Sequence, residues 1–133
     1  MSAPRLQPLM SAWEKALDRL EEVLARPYSQ DNRDIAMMQF ILVYELAWKA
    51  LMLFLGEVGI EANNPRETFR RSYQQGWLND EQLWLDVIRD RNLVAHTYSE
   101  RTDMAVYQDI RRFAPEIRRA HRSLKEGSVD LLA

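Results

Sequence analysis

The stretch Arg89–Tyr98 carries the side chains of this sequence that are best suited to chemistry. It holds one of the chain's two histidines, together with arginine, aspartate, asparagine and tyrosine residues. Histidine can move a proton near neutral pH, and arginine can stabilise the charge on a pentavalent phosphorus transition state. Because RNA supplies its own nucleophile, the 2′-hydroxyl, these residues suit phosphodiester cleavage without a metal ion.

Helical geometry divides this stretch into separate faces. At about 100° per residue, Asn92 and His96 lie on one face, whereas Arg91 and Tyr98 share another. Arg91 and His96 are separated by roughly 140° around the axis of one straight helix. They can act together only if the helix ends before His96, or if a second copy of the stretch faces the first across a two-fold axis.

A structural interpretation accounts for the same residues. In it, His96 caps the end of a helix, and Arg91 pairs with Asp86 or Asp90. Residue types and spacing by themselves favour this structural interpretation over a catalytic one.

No metal or cofactor site is predicted. The chain has no cysteine, and His96 and His121 are too far apart in sequence to form a paired metal-binding motif. The sequence contains neither a glycine-rich phosphate loop nor a Gly-x-Ser-x-Gly nucleophile elbow. Chemistry at Arg89–Tyr98 would therefore depend on protein side chains alone.

Charge is distributed unevenly along the chain. Residues 1–88 carry 9 Lys and Arg against 13 Asp and Glu, whereas residues 89–125 carry 9 against 5. Most basic residues of the second segment are arginines, which suit bidentate contacts with phosphate. RNA, a nucleotide or an acidic partner would fit such a face, and so would plain solvation. The arginines that would form it are Arg111, Arg112, Arg118, Arg119 and Arg122.

Five helical segments are predicted from the 3.6-residue periodicity of the apolar residues. They begin near Leu6, at Asp31 or Asn32, and near Asn64, Asn79 and Thr102. Pro115 removes a backbone donor within the last segment and predicts a kink or a short break there. The predicted architecture is a single all-α domain over residues 1–133, an antiparallel bundle of about five helices with an ordered core over about 6–125.

The second segment is apolar nearly all round, which is typical of the central helix of a bundle or of a membrane span. Glu45 and Lys49 lie near its middle, and each would cost roughly 3 kcal/mol at the centre of a bilayer. A central bundle helix is therefore favoured, without membrane insertion. Since the first residues lack the apolar region of a secretory signal, a cytoplasmic protein is expected.

The residues from Arg91 to Tyr98 resemble the Arg-x4-His-x-Tyr motif of HEPN-domain proteins. More narrowly, they resemble the HepT-like branch, often called nucleotidyltransferase substrate-binding proteins. The similarity extends over roughly residues 9–124. It includes Phe40 with the central-helix signature Tyr44–Lys49, the helix start Asn64-Pro65-Arg66-Glu67, and Trp84-Leu85-Asp86 before the motif.

The resemblance implies a HEPN-like helical homodimer in which the two motifs line a shared cleft. It also implies a metal-independent endoribonuclease, the toxin of a prokaryotic toxin–antitoxin pair whose antitoxin is a minimal nucleotidyltransferase. Arg91, Asn92 and His96 match the family's residues for RNA cleavage, and Tyr98 matches the tyrosine that the partner can modify with AMP. An attached AMP would place negative charge beside Arg91 and repel the phosphate of RNA.

Two other functions remain open. In the first, the chain is a non-catalytic substrate-binding or docking subunit of a two-component nucleotidyltransferase. In the second, it binds nucleic acid without catalysis through the arginine face of the last helix.

Overall fold

The structure is a computed structural model that describes residues 5–96 and 99–132, without the side chains of His96 and of residues 128–132. Within these residues the chain forms five α-helices and no strand. The predicted all-α bundle of about five helices is therefore confirmed. The helices are α1 (Leu6–Leu24), α2 (Gln30–Glu57), α3 (Pro65–Gln74), α4 (Glu81–His96) and α5 (Glu100–Leu132).

Side-chain caps set the starts of the middle three helices. Ser29, Asn64 and Asp80 each accept the backbone N–H three residues later, at 3.0, 2.9 and 3.1 Å. A cap of this kind stabilises a helix by about 1 kcal/mol. The predicted start of α3 is confirmed, but α2 is capped by Ser29 instead of Asp31 or Asn32. Likewise, α4 is capped by Asp80 instead of Asn79, because neighbouring residues of similar capping ability compete at both places.

α2 lies at the centre of the bundle and contacts each of the other four helices. By length and composition alone it could cross a membrane. However, Phe40, Leu51 and Phe54 on α2 are almost fully buried among residues of the other helices. Packing within the bundle therefore accounts for the apolar residues on the buried face of α2.

α5 continues through Pro115 without a break and extends to Leu132, beyond the predicted end of the ordered core. A proline inside a helix costs about 3 kcal/mol because it removes a backbone hydrogen bond and crowds the preceding turn. On α5, Phe113, Ala114 and Ile117 are all buried in the core around this position. We attribute the continuity of the helix to that packing, which offsets the local cost.

Candidate functional site

The arginine of the predicted motif, Arg91, is held by α2. Its Nη2 lies 3.6 Å from Oε1 of Glu45, and its guanidinium lies over the ring of Tyr44 at 5.7 Å from the centroid. Its Nε is buried without a hydrogen-bond partner among the described residues. The predicted pairing of Arg91 with Asp86 or Asp90 is therefore wrong, because the side chain leaves α4 on the side that faces α2.

Glu45 joins this arginine to the central helix. Its Oε2 accepts a hydrogen bond from Nε1 of Trp48 at 3.2 Å and lies 3.8 Å from Nζ of Lys49. The signature residues of α2 and the motif arginine of α4 thus meet in space. We call Tyr44, Glu45, Trp48, Lys49 and Arg91 the Glu45 cluster. Two cations face one carboxylate, so the cluster carries a net positive charge.

Tyr44 forms the buried floor of the Glu45 cluster. Burial raises the pKa of its hydroxyl, while the charge of Arg91 acts in the opposite direction and that of Glu45 adds to the increase. The phenol therefore stays neutral at physiological pH. It offers its ring face to the guanidinium, which is a cation–π arrangement.

The remaining motif residues lie at the end of α4. Asn92 is exposed and has no side-chain hydrogen bond to any residue that the structure describes. His96 is the last residue of the helix, its side chain is not described, and Tyr98 lies outside the described residues. Because α4 continues to His96, helical geometry keeps Arg91 and His96 of one chain on different faces. A second copy of the chain is then the remaining way to bring them together.

A second polar cluster lies between α4 and α5, beginning next to Arg91 in sequence. Arg89 contacts carboxylate oxygens of Asp90 at 3.0 Å, Asp109 at 3.3 Å and Asp86 at 3.5 Å. Arg112 lies 3.3 Å from Asp86 and 3.7 Å from Asp109. We call these five residues the aspartate cluster. Three carboxylates face two guanidinium groups, so one negative charge is in excess when all are ionised.

Asp90 is the buried member of the aspartate cluster. Only 1% of the residue is exposed, and its Oδ2 has no hydrogen-bond partner among the described residues. Burial, followed by the interaction with the carboxylate of Asp109, raises the pKa of Asp90 from 3.8 to about 7, while Arg89 acts in the opposite direction. A proton on Asp90 would cancel the excess negative charge of the cluster.

The raised pKa of Asp90 predicts a pH-dependent stability. Between about pH 4 and pH 7 the folded state holds a proton at Asp90 that the unfolded state has lost, so the contribution of Asp90 to the free energy of unfolding falls as the pH rises. Asp90→Asn keeps the shape of the side chain but cannot ionise. We expect wild type and Asp90→Asn to be similarly stable near about pH 4.5, and the variant to be more stable near about pH 8 by more than about 1 kcal/mol. Urea unfolding at both pH values measures this difference.

Asp86→Asn is the matched control for Asp90→Asn. The pKa of Asp86 is lowered, chiefly by a hydrogen bond from Gln82 and further by Arg112 and Arg89, whereas burial opposes the change. Its stabilising contribution is therefore present above the ordinary pKa of an aspartate, and Asp86→Asn should be less stable than wild type at both pH values. A difference between wild type and Asp90→Asn that does not change with pH would contradict the assignment of the titration to Asp90.

Two of the α5 arginines hold α5 against α1. Arg118 lies 2.6 Å from both Asp18 and Glu21, and the hydrogen bonds that it donates to Glu21 and to Asp18 raise the pKa of its guanidinium against the effect of burial. Arg111 donates to the backbone carbonyl of Leu24 at 2.8 Å and so satisfies an acceptor at the end of α1. These contacts give both arginines a role in helix packing.

The other three predicted contact arginines differ in their surroundings. Arg112 belongs to the aspartate cluster, and Arg119 lies 3.3 Å from Glu116 on its own helix. Arg122 is exposed and has no ion-pair partner in the part of the chain that the structure describes. Four of the five side chains are thus engaged within the chain, and the predicted contact of this face with RNA or a partner stays a prediction.

His121 is part of the core. Its Nε2 lies 3.0 Å from the backbone carbonyl of Met10, and its ring meets that of Trp13 edge-on with the centroids 4.8 Å apart. Within residues 5–96 and 99–132, no group of three or more histidine, aspartate or glutamate side chains is arranged to hold a metal ion.

Sequence reasoning missed two buried charges, Asp90 and Arg33. Arg33 lies 3.3 Å from Glu100 and 3.8 Å from Asp103, and so links the start of α2 to the start of α5. A signal for both was present, because each occupies a position with the spacing of core residues. Asp90 follows Leu83 and Val87 at intervals of four and three, and the core stripe of α2 begins at Arg33.

Comparison with known proteins gave a family and two structural relatives. Residues 9–126 match a family model described as nucleotidyltransferase substrate binding protein like. A crystal structure from Thermus thermophilus is 33% identical, with a TM-score of 0.77 over 81% of this chain and 94% of that chain. HI0074 from Haemophilus influenzae is 23% identical, with a TM-score of 0.79 over 87% and 98%. That structure is described as revealing the fold of a substrate binding domain of a nucleotidyltransferase. No curated protein matched.

These comparisons overturn one prediction from the sequence. The matched family and the neighbour from Haemophilus influenzae are both described as substrate-binding. The prediction that the chain is an endoribonuclease is therefore wrong. The toxin role and its silencing through AMP transfer to Tyr98 both depended on that activity.

Proposed function

Because this chain belongs to the nucleotidyltransferase substrate binding protein-like family, we propose that it is the non-catalytic substrate-binding subunit of a two-component nucleotidyltransferase. A separate nucleotidyltransferase chain carries out the transfer, and this chain binds the acceptor and presents it. The observation that carries the proposal is the family match over residues 9–126, which spans all of α2, α3 and α4 and most of α1 and α5.

The subunit acts as a homodimer, and the exposed face of α2 supports this assembly. Ile35, Met38 and Leu42 follow one another at intervals of three and four residues, and they are 45%, 73% and 47% exposed. We call these three residues the α2 stripe. Continuing the same spacing leads to Glu45 and Lys49 of the Glu45 cluster. An apolar stripe of this spacing is what a pair of packed helices buries between them.

The end of α4 adds a groove beside the α2 stripe. Met38 and Ile41 of α2, with Val94 and Ala95 of α4, line a cavity of about 420 Å³. A second copy placed on this surface across a two-fold axis would fill the groove with its own apolar side chains. It would also bring the motif of one chain next to the motif of the other.

In this assembly Arg91, Asn92 and His96 are contact residues and not catalytic ones. Arg91 and Lys49 are 31% and 51% exposed and share the carboxylate of Glu45. A cation held in place in this way can form a charge-assisted hydrogen bond with little further ordering of its side chain. The second copy or the catalytic chain would provide the acceptor for that bond.

Reconstitution with a nucleotidyltransferase from the same organism tests this function. The two purified chains are mixed, and the mass of the complex is measured by light scattering after size exclusion. The expected result is a stable complex that transfers labelled nucleotide to an acceptor, whereas this chain alone transfers none. The absence of a complex with the nucleotidyltransferase would overturn the proposal.

A further inference from the structure

A cavity of about 410 Å³ opens between α3 and α4. It shares no lining residue with the Glu45 cluster, the aspartate cluster or the α2 stripe. Its volume falls within the roughly 300–1,000 Å³ range of pockets that bind small molecules. We propose that this cavity binds a small phosphate ester, with Arg66 and Arg70 holding the phosphate and the wall at Trp84 facing the organic part.

Two unpaired guanidinium groups carry this proposal. Arg66 and Arg70 lie one turn apart on α3, both are exposed, and neither has a hydrogen bond or ion pair to any described residue. Like charges at this spacing destabilise a helix, so their juxtaposition is unfavourable until an anion lies between them. Arg89 and Arg118, by contrast, each meet two or more carboxylates of the same chain.

The helix that carries these arginines is firmly placed. Asn64 caps it and Pro65 forms its first turn. On its inner side, the ring of Phe69 lies 4.9 Å from that of Trp84 on α4 and 6.0 Å from that of Tyr44 on α2, measured between centroids. The backbone that carries the two arginines is therefore fixed before a ligand arrives, which lowers the entropic cost of binding.

The other lining residues define the class of ligand. Phe69 and Trp84, each 2% exposed, form an apolar wall together with Leu85, whereas Glu67, which lies 4.0 Å from Arg71, and Glu81 supply carboxylates. Carboxylates repel a free polyanion but accept hydrogen bonds from hydroxyl or amino groups. A ligand with one phosphate, an apolar ring and hydrogen-bond donors fits this lining. A nucleoside monophosphate has all three.

The role of this ligand, but not its binding, rests on the proposed function. In a substrate-binding subunit, the phosphate ester would be the acceptor, or the part of the acceptor that this chain holds. The two ideas can fail separately. A chain that assembles with its nucleotidyltransferase and binds no phosphate ester would overturn the inference and leave the proposed function standing.

Isothermal titration of the full-length chain with AMP, GMP, CMP and UMP tests the inference, with the matching nucleosides and inorganic phosphate as further probes. The expected result is binding of at least one monophosphate at least about ten-fold more tightly than its nucleoside or free phosphate. Arg66→Gln/Arg70→Gln should weaken that binding at least about ten-fold, because it removes two charged contacts.

Arg19→Gln/Arg101→Gln is the matched control, since both arginines are exposed and have no ion-pair partner among the described residues. This control removes the same charge as Arg66→Gln/Arg70→Gln does, and it should bind the monophosphate as tightly as wild type does. No binding of any monophosphate to the wild type would overturn the inference. A monophosphate that binds no more tightly than its nucleoside would also overturn it. Equal losses of affinity in the two double variants would overturn it as well.

Discussion

Replacing Met38 and Leu42 together with glutamate is expected to dissociate the proposed homodimer, and so to halve the mass of the protein in solution to the 15.7 kDa of one chain. Both residues belong to the α2 stripe, and they are 73% and 47% exposed in the single chain. The fold itself should therefore tolerate the change. At an interface each unpaired carboxylate would lose its hydration, at a cost of several kcal/mol. Because each 1.4 kcal/mol changes a dissociation constant about ten-fold, the dimer should not survive.

Light scattering after size exclusion measures the mass, and circular dichroism checks that the helices remain. Val58→Glu/Tyr73→Glu is the control, because it adds the same charge at two apolar residues outside the stripe that are each 41% exposed. This control should remain dimeric. A wild-type protein that is monomeric, or a control that dissociates as fully as the stripe variant, would show that the α2 stripe is not the interface.

Phe40→Ala is expected to lower the free energy of unfolding by about 3–5 kcal/mol. Phe40 is fully buried on the central helix, and its ring stacks on that of Phe113 of α5 with the centroids 6.0 Å apart. The substitution removes the ring and leaves a cavity where α2 meets α5. A loss of this size is a large share of the roughly 5–15 kcal/mol by which folded domains are stable.

Urea unfolding followed by circular dichroism measures this loss, and Tyr73→Ala is its control. Tyr73 is an aromatic residue on α3 that is 41% exposed, so its replacement should cost about 0.5 kcal/mol or less. Similar losses of the free energy of unfolding in Phe40→Ala and Tyr73→Ala would contradict the central position of Phe40 in the core. Since Phe40 belongs to the family-like signature of α2, the result also shows whether that signature serves packing.

Local features were predictable from the sequence because their causes lie within a few residues. The five helices follow from apolar periodicity, and Asn64 with Pro65 marks the start of α3 correctly. At α2, however, Ser29, Asp31 and Asn32 can all act as caps. Which of them caps α2 depends on where the chain leaves the connection from α1 and enters the helix. The capping residues themselves do not determine that position.

Contacts between helices could not be predicted in the same way. Arg89 and Arg91 are two residues apart and have the same side chain. Arg89 nevertheless pairs with the carboxylates of the aspartate cluster, whereas Arg91 pairs with Glu45. Which of them meets α5 and which meets α2 depends on the rotation of α4 about its axis in the bundle. Asp90 illustrates the same difficulty, because its burial follows from the packing of α5 over α4.

The functional prediction failed for a related reason. Arginine, asparagine and histidine at the spacing of Arg91, Asn92 and His96 suit RNA cleavage, and they equally suit the binding of a substrate or a partner chain. Residue types show which interactions are possible, but they do not determine which reaction occurs. The description of the matched family favours binding, and the engagement of Arg91 by Glu45 and Tyr44 agrees with a contact role.

Nucleotide transfer by the reconstituted pair tests the central claim most directly. Labelled ATP and an extract of small molecules and RNA from the source organism are incubated with this chain, with its nucleotidyltransferase, or with both. We expect transfer that depends on both chains, and neither transfer nor RNA cleavage by this chain alone. Transfer that is unchanged when this chain is left out would contradict a substrate-binding subunit. RNA cleavage by this chain alone, lost in His96→Ala, would contradict its non-catalytic nature.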